Sequence, residues 1–571
     1  MSIDRRLAIC HSALWAAYGD ALGFMTERTD ARGLLWRMGK NSVTETQPWR
    51  RRIPGFSGPA IEFPAGSYSD DTQLRLCVAR AIGADGYFDV EAFAKIELVI
   101  WQAYALGAGR ASKQAAANLS RRDVNWFTNF YKGKNASYWA SGGNGAAMRI
   151  QPHVWTARDL RNRDALATSI LCDTVCTHGH PRAIAGAILH GWWLARVLDT
   201  GFVPEPADWY KDVEELTRIE YWVDQNEMLS AFWVAAWKQN NEHGLKDAMS
   251  NVRDELTRDI HSLMAPSLID ADYSELVRRI DGFDPKQSGS GTKTVLLAMT
   301  LAWRHRNSGV EKAVIEAANA LGSDTDTVAT MVGAVLGALS AEPPKGVLQD
   351  RAYIKASAER LYRIAQGEQE DAFLYPDLGR WSVPKTMLDA VSEKAGAMEV
   401  PGLGPAFLID APVYADSSGK TIYQWLRLNF DQSVLIKRRA SSSSGVEKNS
   451  LREKPIKEPV KNAQATIGDL LALADAQVEG DSKATSATTV TEIVTGTATS
   501  PATDSGDRPK EARTLDEMTQ EAIRSDFDEA LIGHHLLEFA IDQDGIEKGI
   551  AYTAIILKAK HARLKKAIGN I

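Results

Sequence analysis

At 571 residues the chain has room for about four average domains, or fewer if one is large. With 44% hydrophobic and 24% charged residues it reads as an ordinary globular protein, and no apolar stretch approaches the roughly 20 residues a membrane-spanning helix needs. A net charge of -7 gives no general nucleic-acid footprint, so no general nucleic-acid binding is expected.

The first residues, Met1-Ser2-Ile3-Asp4-Arg5-Arg6, run into a helical pattern without a secretory leader, and a cytoplasmic protein is expected. Helical periodicity then dominates to about Gly367. Leu7, Cys10, Leu14 and Ala17 mark one face; Val314, Ala317, Ala318 and Leu321 mark another. Residues 1–367 therefore read as one large all-α domain. Residues 201–291 look inserted into it, with charged helical stretches from Asp212 to Ile219 and Leu268 to Ile280. Cys10, Cys77, Cys172 and Cys176 are too few for a disulfide scaffold. Cys172 and Cys176 stand too close to His178 and His180 for an ordinary zinc module.

From 375 to 439 turn residues and the runs Ala406–Ile409, Val413–Ala415 and Tyr423–Ile436 predict a small β-rich accessory module. Residues 441–510 have the composition of a disordered linker, with one apolar island from Ile467 to Leu473 read as incidental. Thr514 and Glu517 form a capping box that opens a helical C-terminal segment, 511–571. Its basic stretch, Lys558 to Lys566, reads as a solvated face, while the C-terminal regions as a whole offer a surface for a protein partner.

Two acidic hydroxyl clusters carry the chemistry. Ser69-Asp70-Asp71-Thr72 follows the turn at Pro64-Ala65-Gly66 and precedes an apolar helix. Asp324-Thr325-Asp326-Thr327 precedes a helix of small and aliphatic residues, Val328 to Leu339. Each alone is explained by N-capping. Together they place four carboxylates at the starts of packed helices, where they repel one another unless cations neutralise them. A binuclear magnesium or manganese site answers that, because hard cations take oxygen ligands.

The chain resembles the ADP-ribosylglycohydrolases, the family typified by the dinitrogenase reductase-activating glycohydrolase. The likeness rests on Gly19-Asp20-Ala21-Leu22-Gly23 followed by Glu27, on Ser69-Asp70-Asp71-Thr72, and on Gly143-Asn144-Gly145-Ala146-Ala147-Met148-Arg149. Thr177-His178-Gly179-His180-Pro181 and Gly322-Ser323-Asp324-Thr325-Asp326-Thr327 complete the series, in family order. The resemblance implies an orthogonal multi-helix fold with two Mg2+ ions, Mn2+ being the alternative, held by Ser69, Asp70, Asp71, Asp324, Asp326 and Thr327. Ser69 stands where the family usually has threonine; it keeps the hydroxyl.

By the same resemblance Glu27 is the proton-transfer group, with Asp70 or Asp71 as the alternative base. The Gly143-Asn144-Gly145 loop approaches the diphosphate and distal ribose, Met148 shapes the cleft, and His178 contacts the terminal ribose or its ligand shell. Arg149 reads as structural, and His180 has weaker support. The implied reaction removes ADP-ribose from a modified protein side chain or other conjugate by attack at the anomeric carbon. A noncatalytic ADP-ribose-binding protein is the alternative. An all-α magnesium-dependent prenyl-diphosphate enzyme is a weaker one, because Asp70-Asp71-Thr72-Gln73-Leu74 lacks a fifth-position aspartate. The acceptor bond, arginine N-linked or serine O-linked, is not legible.

Overall fold

Asp4 accepts hydrogen bonds from the amides of Arg6 and Leu7, at 3.0 and 3.2 Å, and so opens helix α1 (Arg5–Thr26). From Ala8 to Thr26 every residue of α1 is buried, which makes it the central pillar. Leu7 is 51% exposed, so the predicted apolar face begins at Ala8 and Cys10 instead. In the computed structural model the described residues are 4–55, 58–134, 136–265, 271–394, 397–440 and 514–539, with scattered positions from 548 to 563. The predicted linker, its apolar island and most of the basic tail lie outside them.

The other principal helices of the first unit, Met1–Arg452, follow in chain order. They are α2 (Ala31–Met38), α3 (Asp70–Ala81), α4 (Arg163–Val175), α5 (Pro181–Thr200), α6 (Pro206–Glu215), α7 (Leu245–Leu263), α8 (Gly291–Arg304), α9 (Val310–Asn319), α10 (Thr325–Gly337) and α11 (Arg351–Ala365). The predicted all-α domain is thus mostly helical as expected. Helix α10 begins at Thr325, earlier than the predicted Val328, so the second acidic cluster forms its first turn.

Helices α1 and α10 touch backbone to backbone. A Cβ on Gly19 would stand 2.3 Å from the Ala329 carbonyl oxygen, one on Gly23 2.3 Å from the Asp326 Cα, and one on Gly333 2.4 Å from the Trp15 carbonyl oxygen. Only hydrogen fits at these crossings. Because Gly23 abuts Asp326 itself, Gly23→Ala should destabilise the fold by about 1–3 kcal/mol and displace the second cluster. A urea midpoint and kcat that both match wild type would refute this contact.

Residues 201–291 pack inward through Trp209, Trp222 and Trp233, all fully buried. Asp212 fixes that packing, accepting from Trp193 Nε1 at 2.9 Å, Arg163 Nη1 at 2.6 Å and Arg196 Nη2 at 2.9 Å.

An antiparallel hairpin, β1 (Trp49–Arg52) with β2 (Ala60–Phe63), stands inside the helical region. It was not expected, because three successive arginines hide the alternation. The β-rich module is a six-stranded antiparallel sheet: β3 (Ser392–Lys394), β4 (Ala397–Val400), β5 (Gly404–Leu408), β6 (Tyr414–Ala415), β7 (Thr421–Leu428) and β8 (Ser433–Arg439). Its order is β3-β4-β5-β7-β6, with β8 on the other side of β7. The single run predicted from Tyr423 to Ile436 is two strands around a turn in which Asp431 adopts φ 67°. Strands β3 and β4 are only three and four residues long, too short to show an alternation in the sequence.

The sheet leans on the helical body: the Lys437 amide donates to the Ala103 carbonyl at 2.9 Å, and the Glu62 amide to Tyr414 Oη at 3.2 Å. In the second unit, Thr514 and Glu517 make the predicted capping box on α12 (Leu515–Arg524). That helix packs with α13 (Glu529–Phe539) around Met518, Phe527, Phe539 and Tyr552.

Candidate active site

Ser69 ends an extended segment with φ -88° and caps α3, its hydroxyl accepting from the Asp71 amide at 3.2 Å. A capped helix start presents Asp70 and Asp71 in the first turn, where the helix dipole favours them. The turn is held by Asp20 of α1: Oδ1 accepts from the Ser69 amide at 2.9 Å and Oδ2 from the Thr72 amide at 2.8 Å. Gln73 secures the neighbouring loop, its Oε1 accepting from Trp101 Nε1 at 3.0 Å and the Leu106 amide at 3.2 Å. The Leu106 carbonyl in turn accepts from the Asp70 amide at 2.8 Å.

Helix α1 therefore organises both clusters. Asp20 clamps the start of α3, and three residues later Gly23 lies against the start of α10, its carbonyl accepting from Thr325 Oγ1 at 3.0 Å. The clusters meet where Thr327 Oγ1 donates to Asp71 Oδ1 at 3.4 Å. Asp324 Oδ2 accepts from Asn144 Nδ2 at 2.9 Å. The result is a cleft of about 880 Å3, lined by Glu27, Asp70, Asp71, Asp324, Asp326 and Thr327 on one part and by Gly143, Asn144, Gly145, Met148 and His178 on another. Ser69 alone of the predicted residues is not on its wall.

These aspartates crowd one another. Burial, followed by Glu27 and Asp20, pushes Asp70 up to about 8. Burial, then Asp20, Asp70 and Asp324, drives Asp71 well above the ordinary carboxylate range; burial, then Glu27, Asp324 and Asp71, does the same to Asp326. Asp71 Oδ2 is buried with no hydrogen-bond partner. Among the described residues no three His, Cys, Asp or Glu side chains are drawn into a ready-made cation cage. What fits a hard divalent cation is the donor chemistry: carboxylate and hydroxyl oxygens, excess negative charge and one orphaned oxygen.

A pH dependence follows. An unfolded aspartate titrates near about 4, and the folded site holds its protons to higher pH, so between those values the folded state binds more protons. Stability must then fall as pH rises. In chelator, Tm should drop from pH 5 to pH 8, and Mg2+ should raise Tm more at pH 8 than at pH 5. A Tm in chelator that climbs over that range, together with a Mg2+ effect no larger at pH 8, would contradict the crowding.

The glycine loop and His178 belong to one buried network. Arg149, fully buried, donates from Nη1 to the Gly145 carbonyl at 2.9 Å, from Nε to Asp173 Oδ1 at 2.9 Å and from Nη2 to Thr177 Oγ1 at 3.0 Å. Thr177 Oγ1 lies 2.7 Å from His178 Nδ1. Burial, then Arg149, pushes His178 down to about 3, so it meets a ligand as neutral imidazole. Gly145 stays a glycine because a Cβ there would lie 2.9 Å from His178 Cε1. The Asn144 amide donates to the Gly289 carbonyl at 3.0 Å, so the end of the 201–291 segment forms part of the wall. His180 caps α5, its Nδ1 accepting from the Arg182 amide at 3.1 Å.

Glu27 ends α1 and is held from two sides, by Arg51 Nη1 at 2.8 Å and Arg28 Nε at 3.1 Å. Neither arginine was singled out in the sequence. Arg28 could have been, from its place beside Glu27; Arg51 sits on the unforeseen hairpin. Asp20 was visible inside the first glycine motif, but nothing local shows that it caps a helix 49 residues away.

Residues 3–371 match the ADP-ribosylglycohydrolase family. The chain is similar to the uncharacterized protein YegU of Escherichia coli (strain K12), 26% identical over 349 residues that cover 57% of this chain and 86% of that protein. It is likewise 26% identical over 180 residues to the ADP-ribosyl-[dinitrogen reductase] glycohydrolase of Rhodospirillum rubrum, covering 31% of this chain and about half, 53%, of that enzyme. A solved ADP-ribosylglycohydrolase-related protein complex aligns over 63% of this chain and 99% of its own, at 22% identity and a TM-score of 0.40, too low to carry an argument. The prenyl-diphosphate alternative falls away with these matches. The chain belongs to the ADP-ribosylglycohydrolase family, whose members hydrolyse ADP-ribosyl conjugates.

Proposed function

We propose that the chain removes ADP-ribose from a modified protein side chain in a reaction that depends on a divalent cation. The carrying observation is the division of charge within one cleft. The aspartates of both clusters are buried at its floor, apart from the half-buried Asp324, while Arg28, Arg110, Lys134 and Lys286 stand exposed on its wall. An ADP-ribosyl group has the matching polarity, with a diphosphate for the cations and ribose hydroxyls for the oxygen-rich floor.

Ser69, Asp70, Asp71, Asp324, Asp326 and Thr327 would hold two Mg2+ ions, or Mn2+, which when bound polarise ribose hydroxyls and water. Asn144 is oriented by its side-chain bond to Asp324 and by its amide's bond to the Gly289 carbonyl, so the glycine loop meets the phosphates with the amides of Gly143 and Gly145. Neutral His178 offers Nε2 to a ribose hydroxyl. Glu27, fixed by Arg28 and Arg51, accepts a proton from the water that attacks the anomeric carbon and returns it to the departing side-chain nitrogen or oxygen as the anomeric bond breaks, with Asp70 or Asp71 as the alternative base.

The test is release of ADP-ribose by the full chain from arginine-linked and serine-linked ADP-ribosylated proteins. Release from at least one class is expected and names the acceptor bond. Release from neither, with ADP-ribose still bound, would mark a noncatalytic binding protein and overturn the proposal.

A further inference from the structure

A second cavity, of about 910 Å3, lies where the helical body meets the sheet. One wall is α2 and the β1–β2 hairpin. The other is the stretch from Ile409 to Tyr414 with Trp425 and Arg427 of β7. Because the family match ends at residue 371, this second wall lies outside the region that match covers. Neither the reaction nor the metal chemistry uses any of it.

The lining holds a buried guanidinium and one buried indole N–H without a partner. Arg37 is buried, 9% exposed, and its Nη1 donates to the main-chain carbonyls of Met25 and Glu27, at 2.9 and 2.8 Å. Among the described residues it has no ion pair. Trp49 is 4% exposed, and its Nε1 has no hydrogen-bond partner. The Arg37 guanidinium also stands 5.8 Å from the Trp49 ring, so these two groups build the back of the cavity and leave its open face to other side chains.

Around those donors the chemistry is mixed. Trp36, already under the Arg50 guanidinium at 4.7 Å, Tyr414 and Trp425 provide aromatic surface. Arg427 adds an exposed cation, while Glu62 and Asp410 add exposed carboxylates. A simple cation would face the arginines and a simple anion the carboxylates. A hydrocarbon would leave Arg427 and both carboxylates unanswered. We propose that this cavity is a second ligand site that takes a nucleoside phosphate. The base meets the aromatic surface of Trp36 and Tyr414, the phosphate meets Arg50 and Arg427, and sugar hydroxyls donate to Glu62 and Asp410.

The site is not isolated from the cleft. The same Arg37 holds the Glu27 carbonyl, and the hairpin that forms one wall carries Arg51, the partner of the Glu27 carboxylate.

The experiment is equilibrium dialysis of the full chain with AMP, with adenosine and inorganic phosphate as separate arms. Saturable AMP binding is expected, at least 10-fold tighter than either part alone. Trp36→Ala and Arg427→Glu, both away from the buried core, should weaken it at least 10-fold while circular dichroism stays unchanged. Asp326→Asn and Asn144→Trp, in the cleft, should leave it intact. No saturable binding at millimolar AMP, binding undiminished in the two cavity variants, or binding lost only in the cleft variants would each overturn the site. The readout is binding, so it does not depend on whether the cleft hydrolyses anything.

Discussion

Replacing Asp326 with alanine should lower kcat for ADP-ribosyl hydrolysis at least about 10^3-fold, roughly 4 kcal/mol at 1.36 kcal/mol per tenfold, without a matching loss of stability. The two halves of that expectation share one cause. Asp326 is buried and faces Glu27, Asp324 and Asp71, so its negative charge is unfavourable in the folded state by itself. Its visible structural contribution is a bond from the Thr327 amide at 3.0 Å to its Oδ1 and a side-chain hydrogen bond with Asp324. Removing it relieves repulsion while deleting an oxygen donor that the reaction needs. Sites held against their own stability behave this way. The check is kcat and Tm on one preparation. Near-normal turnover rejects the assignment of Asp326; lost turnover with a Tm several degrees lower would mean the residue supports the fold instead.

Replacing Glu97 with alanine should destabilise the first unit by about 3–5 kcal/mol, because it strands a buried arginine. Arg80, in the last turn of the helix whose first turn bears Asp70 and Asp71, donates to Glu97 from Nε at 2.7 Å and from Nη2 at 2.8 Å. Its Nη1 reaches Gln432, in the turn before β8, at 2.7 Å and Tyr353 of α11 at 3.1 Å. Tyr375 Oη adds a 2.6 Å bond to Glu97 Oε1. Burial disfavours the Arg80 charge, but Glu97 and its neighbours outweigh that and keep it firmly protonated. The charge pair thus lies within the helical body, and the sheet module braces the far end of α3 through the Gln432 side-chain oxygen. Urea midpoints should show the full loss for Glu97→Ala and partial recovery in the double variant Arg80→Met, Glu97→Leu, which removes both charges. If the single variant costs under about 1 kcal/mol, the pair is not buried as described.

What the sequence disclosed has a physical pattern. Both acidic clusters were readable as helix starts because Ser and Asp are cap residues by type, and at the first of them Ser69 accepts from the amide of its own next turn. The expectations for Arg149 and the glycine loop came from the family resemblance, since a lone glycine run reads only as a turn. Contacts between distant segments were not readable. Asp20 acts on residues 49 and 52 positions away, and Glu27 is held by an arginine 24 positions on. The hairpin that carries this arginine was hidden because Trp49-Arg50-Arg51-Arg52 resembles a solvated charge run. The convergence of the clusters depends on glycines that let two helices touch, and spacing cannot reveal it.

The most direct test of the central claim, that the two clusters act as one cation-dependent site, is ADP-ribose release by chain stripped with chelator and then titrated with Mg2+. Activity should vanish in chelator and return with Mg2+ or Mn2+ in the wild type, and return in neither Asp71→Ala nor Asp326→Ala, one from each cluster. Undiminished release in chelator, or recovery by either variant, would contradict it.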